Sequence, residues 1–127
     1  ALFGSVQGTI EALNVIEAKG ADVIVPGHGP AFSGRDIKEV LASQQIYLEF
    51  VQETAAQGVR SGRSPVEQAL ATDLGEFQNL TDSERLAGNL HVAYRENPEA
   101  SYDWVGFETA IADMIILNGG QLPHCVA

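Results

Sequence analysis

The side chains equipped for chemistry are few: three histidines and a single cysteine in 127 residues. His28 stands out by its frame, Pro26-Gly-His-Gly-Pro30, which directly follows the β-branched run Val23-Ile24-Val25. A neutral imidazole held this way can ligate a metal ion or move a proton. Gly27 and Gly29 open backbone angles closed to other residues, and Pro30 fixes the exit. The alternative is a strand-ending turn whose histidine caps the chain or faces water.

The remaining candidates have plainer readings. His91 lies between Leu90 and Val92 in a helical stretch and reads as a packing or surface residue. His124 and Cys125 are adjacent, and two ligands without partners do not make a metal site. No CxxC, HExxH or HxH spacing occurs. Ser5 and Ser33 lack the nearby histidine and acid of a nucleophilic triad. Glu11, Glu17, Glu39, Glu49 and Glu53 read as a solvated acidic face. Tyr102, Trp104 and Phe107 read as core anchors of a last helix.

These residues must be positioned by a short αβ unit and a longer helical region. Gly4-Ser5 introduces a first helix with Ser5 as its N-cap, and Lys19-Gly20 supplies the stop. Val23 to Val25 reads as a buried strand ending at Pro26, because proline cannot donate to a sheet ladder. No second strand is expected, so this one lacks neighbours and exposes edges that invite another chain. From Arg35 to about Gly58, Ile37, Leu41, Leu48, Val51 and Ala55 recur at helical spacing. Gly58 and Arg60 to Arg63 read as a linker. Ser64-Pro-Val-Glu67 is a capping-box helix start, and Thr81-Asp-Ser-Glu84 reads as a second one. The latter opens a helix carrying Leu86, Leu90 and Ala93 that ends before Pro98. A final helix over about 103–117 is expected to bury Val105, Phe107, Ile111, Met114 and Ile115, stopping at Asn118-Gly-Gly120. The division is therefore 1–34 for the αβ unit and 35–127 for the helical region.

Composition sets the outer limits. Hydrophobic residues are 45 % and charged residues 19 %, which is a globular balance. Seven basic against seventeen acidic residues give a net charge of −10, a field that repels phosphate backbones and argues against nucleic acid as a partner. No apolar run reaches the roughly 20 residues of a membrane span. One cysteine forbids an internal disulfide and fits a reducing cytoplasm. The chain opens at Ala1 and its one methionine is Met114, so an internal piece of a longer protein is expected.

Gly4-Ser-Val-x-Gly-Thr-Ile, Gly20-Ala-Asp-Val-Ile-Val-Pro-Gly-His-Gly-Pro30 and Tyr47-Leu-x-x-Val51 together resemble the C-terminal portion of a metallo-β-lactamase-fold hydrolase. Ala112-Asp-Met-x-x-x-Asn-Gly-Gly120 with the His-Cys ending resembles the tails of bacterial members. The resemblance implies an α/β class: one αβ unit of an αββα sandwich followed by a predominantly helical region. It also implies a zinc site, usually binuclear, with His28 as a ligand of the second metal. Metal-activated water would attack a small-molecule ester, lactone, thioester or related acyl substrate. Appended helices in this fold often shape the active-site mouth, a role open here to Tyr47, Phe50, Phe77 or Trp104, for which packing in the core is the plainer reading.

The family's His-x-His-x-Asp-His cluster, its middle histidine and its bridging aspartate are absent. The expectation is thus a C-terminal part of a hydrolase, inactive alone, whose partner is the missing N-terminal part or a second copy of this chain. The alternative is a non-catalytic helical interaction or oligomerisation module with a structural Pro-Gly-His-Gly-Pro turn.

Overall fold

The computed structural model describes residues 4–103 and 105–123. Their order is α1 (Val6–Ala18), β1 (Val23–Ile24), β2 (Phe32–Ser33), α2 (Arg35–Arg60), α3 (Pro65–Ala71), a 3-10 turn (Gly75–Asn79), α4 (Arg85–Glu96) and α5 (Phe107–Leu117). The chain is predominantly helical, with one small antiparallel sheet.

The core is built around α4. Every residue from Leu86 to Tyr94 is buried, and α1, α2, α3 and α5 all pack against this helix. A helix covered on all sides is a core element, not an amphipathic surface one. Leu86 and Leu90 are fully enclosed, each contributing about 2–3 kcal/mol of transfer free energy. Val6 and Ile10 of α1, Leu48 and Val51 of α2 and Met114 of α5 complete the same cluster.

Several ends form as their residues dictate. Ser5 Oγ accepts from the Gly8 amide at 2.8 Å. Glu96 reaches back across the fold, its carboxylate accepting from the Val6 amide at 3.1 Å and the Gln7 amide at 3.3 Å. That places a negative charge at the positive end of α1. Arg95 donates to the Gly4 carbonyl at 2.7 Å, so the end of α4 holds the start of α1. Ser64 and Glu67 form the full capping box, with Pro65 in the first turn. Asn118, Gly119 and Gly120 end α5, with Gly119 and Gly120 at positive φ.

Four expectations are corrected. Gly58 does not open a linker: α2 runs on to Arg60, and Gly58 is buried where Tyr94 and Gln68 approach. Thr81 to Glu84 form no capping box. Asp82 takes φ 58° and accepts from Arg85 at 3.1 Å, while Glu84 occupies the cap without a side-chain bond to the backbone. Helix α5 begins at Phe107, after Gly106 at φ 93°, and buries Ala110 and Met114; Val105 and Phe107 stay exposed.

The fourth concerns the strand. β1 is two residues long and not buried: Val23 is 56 % exposed and Ile24 half-buried, and Val25 just beyond it is 78 % exposed. It also has a partner: β2 pairs antiparallel with it, Val23 opposite Ser33 and Ile24 opposite Phe32. A two-residue ladder is too short to show periodicity. Trp104 and the His124-Cys125 pair lie outside the described residues.

Candidate functional site

The hairpin displays the loop 25–31 at its tip, and His28 is exposed there. Gly29 at φ 87° and Gly34 at φ 60° turn the chain where a β-carbon would be strained. Between this loop and the first turns of α2 lies a cavity of about 740 Å³, lined among others by His28, Phe32, Asp36, Glu39, Val40 and Gln44. Asp36 sits in the first turn of α2, where the helix dipole favours its charge.

His28, Asp36 and Glu39 therefore share one cavity, but they do not form a cage. Among the described residues no group of three or more His, Cys, Asp or Glu side chains is placed to hold a metal ion. A complete zinc centre needs at least three protein ligands. The donor set present here does not fit one without ligands from elsewhere.

A second cavity of about 350 Å³ opens further along α2, bounded by Tyr47, Leu74, Phe77 and Leu80 with Arg85 and Asn89 of α4. Gln44 lines both cavities. The Tyr47 and Phe77 rings meet edge to face, 5.5 Å between centroids at 71°, and Phe50 packs on Phe77 at 4.7 Å. Asn89 Nδ2 donates to Tyr47 Oη at 2.9 Å. Tyr47 and Phe77 line this second cavity, not the one facing His28. Phe50 supports Phe77.

Sequence reasoning undervalued His91. It is buried between two partners, Nε2 lying 2.7 Å from Asp113 Oδ2 of α5 and Nδ1 hydrogen-bonded with the Tyr102 hydroxyl. A neutral ring protonated at Nε2 satisfies all three groups: it donates to the carboxylate and accepts from the phenol. The order carboxylate, imidazole, hydroxyl is that of an activated nucleophile, but the phenol argues otherwise. Burial, aided by the nearby charge of Asp113 and by Tyr94, pushes Tyr102 up to about 12. A group so held keeps its proton, so the trio is a buried tie between α4, α5 and the intervening segment. Its partners lie 11 and 22 residues away, a distance no local signal spans.

Tyr94 is likewise pushed up to about 12, chiefly by burial, and burial raises Tyr47 as well. These are the three tyrosines of the chain. Above pH 10 the folded state binds protons that the unfolded state has released, so stability falls as pH rises from 10 to about 12. The expected result is an ultraviolet phenolate titration with little ionisation at pH 10 in the folded chain, followed by cooperative release with alkaline unfolding. Normal, independent titration of all three phenols in still-folded protein would contradict it.

No helix among the described residues is long and apolar enough to cross a membrane. Comparison with protein-family models, with curated proteins and with solved structures finds no match to this chain.

Proposed function

We propose that this chain is the C-terminal part of a zinc-dependent hydrolase of the metallo-β-lactamase fold, acting on an acyl compound in the intact protein and inactive alone. The observation that supports this reading is the placement of His28, exposed at a hairpin tip over a cavity whose far wall is α2. Val15, Ile16, Val23 and Val25 are exposed on α1 and the hairpin, an apolar set suited to cover by further protein. The zinc ligands beyond His28 would come from that covering protein.

The test is made in a longer protein carrying the remaining ligands. His28→Ala is expected to remove about half of a binuclear zinc complement and to lower turnover at least about 100-fold. Unchanged zinc content and turnover in that variant would remove the reading. In the 127-residue chain itself, added Zn²⁺ is expected to perturb the His28 ring signals only weakly.

The same exposed apolar residues favour a second reading, a helical module that associates through them without catalysis. It expects assembly indifferent to chelator and to His28→Ala, but weakened when Val23 and Val25 are replaced by serine.

A further inference from the structure

The geometry points to the second cavity as a binding site for an uncharged, ring-bearing carbonyl compound. Three features select that class. One wall is apolar and aromatic, with Tyr47 and Phe77 already edge to face and Leu74 and Leu80 beside them, and polar side chains such as Ser43, Thr81 and Ser83 complete the rim. A flat ring adds to such a set by offset or edge contact. At about 350 Å³ the space suits one ring with a short side chain rather than a large ligand.

The second feature is a directed donor. Tyr47 Oη accepts from Asn89, and among the described residues its own hydroxyl proton has no acceptor. Burial holds that proton in place, so the phenol is an O–H donor beside the aromatic wall of the cavity. A carbonyl oxygen is the matching group on a ligand.

The third is charge. Glu76 and Asp82 line the cavity, and the Arg85 guanidinium is engaged by Asp82 at 3.0 Å. A ligand carboxylate would meet two like charges beside a cation already paired, so anions are disfavoured. Gln44, shared with the His28 cavity, makes the two spaces neighbours along one face of α2. Binding of the ring at this cavity does not depend on the hydrolase reading.

The experiment uses the whole 127-residue chain without metal and follows backbone and side-chain amides by NMR. Phenylacetamide is titrated against phenylacetate, two probes differing in charge and not in ring. The amide is expected to bind with Kd of about 1 mM or tighter, with shifts centred on residues 74–80 and the Asn89 side chain. The carboxylate is expected to bind about tenfold more weakly. Phe77 lies in a partly exposed 3-10 turn, and Phe77→Ala is expected to weaken the amide about tenfold. Tyr47→Phe keeps the ring and removes the donor, so it is expected to cost about fivefold for the amide and little for toluene.

A carboxylate that binds as well as the amide, shifts confined to residues 26–40, or no saturation at tens of millimolar would each overturn the proposal. Should Phe77→Ala unfold, the pair of probes and Tyr47→Phe still decide. The probes are not hydrolysed and no zinc is present, so failure here leaves the hydrolase reading standing. Loss of zinc dependence in the longer protein would in turn leave this site untouched.

Discussion

Replacing Gly58 by alanine is expected to destabilise the fold by about 3 kcal/mol or more, at the upper end of what overpacking does. A β-carbon at this position would overlap the Tyr94 hydroxyl and lie 2.8 Å from Gln68 Cγ and 2.9 Å from Tyr94 Cζ. None of these atoms can retreat easily. Tyr94 is buried in α4 and donates to the Arg63 carbonyl at 3.0 Å, and Gln68 is buried in α3. In an exposed helix the same change would add about 1 kcal/mol of stability through helix propensity. The opposite sign is therefore informative. Chemical denaturation should show the loss, and adding Tyr94→Leu to Gly58→Ala should restore part of it, giving a coupling well outside additivity. A neutral or stabilising Gly58→Ala would mean that α2 and α4 do not approach as described.

The second large effect is expected at His91. His91→Phe preserves bulk but strips Asp113 and Tyr102 of their shared partner. Asp113, with a side chain only 14 % exposed, would lose the donor its carboxylate accepts from and Tyr102 its acceptor, and about 2–4 kcal/mol of stability is expected to be lost. The origin can be separated from the size. Asp113→Leu in the His91→Phe background removes the carboxylate left without its donor and should recover more than half of the loss. If His91→Phe alone costs under about 1 kcal/mol, the trio is a loose surface contact and the description of α4 as the centre of the core needs revision.

What could be read in advance follows a physical division between local and distant causes. Ser5, Lys19-Gly20, Ser64-Pro65-Glu67 and Asn118-Gly119-Gly120 act on backbone groups within a few residues, and each does what its type suggests. Gly58 was misread because glycine usually ends helices, whereas its function here depends on Tyr94, 36 positions on in the chain. His91 was undervalued for the same reason. α4 reads as a one-sided helix from Leu86, Leu90 and Ala93. Its full burial arises because Asn89 and His91 have polar partners on neighbouring elements, so even its polar faces are enclosed. Thr81 to Glu84 has capping-box letters, but the αL turn at Asp82 directs the chain differently.

The candidate site divides along the same line. The loop that displays His28 is legible in five consecutive residues. The cavity facing it is not, because Asp36, Glu39 and Gln44 become its wall only once the hairpin folds over α2. The pairing of Val23 with Ser33 that makes this fold-over possible is two residues long, so the Phe32-Ser33 partner is too short to show strand alternation in the sequence.

Gly58 and Gln44 stand on the same uninterrupted α2, fourteen residues apart, which is about 21 Å along a straight helix. The helix thus acts as a strut with a keyed foot: the contact with Tyr94 sets its rotation and height, and everything mounted above inherits both. A slip of one residue at the foot would turn the upper wall by about 100° and raise it by about 1.5 Å. Asp36, Glu39 and Gln44 would then leave the cavity without any of them being altered. The tight packing at the far end of α2 is in this sense an alignment device for the space opposite His28.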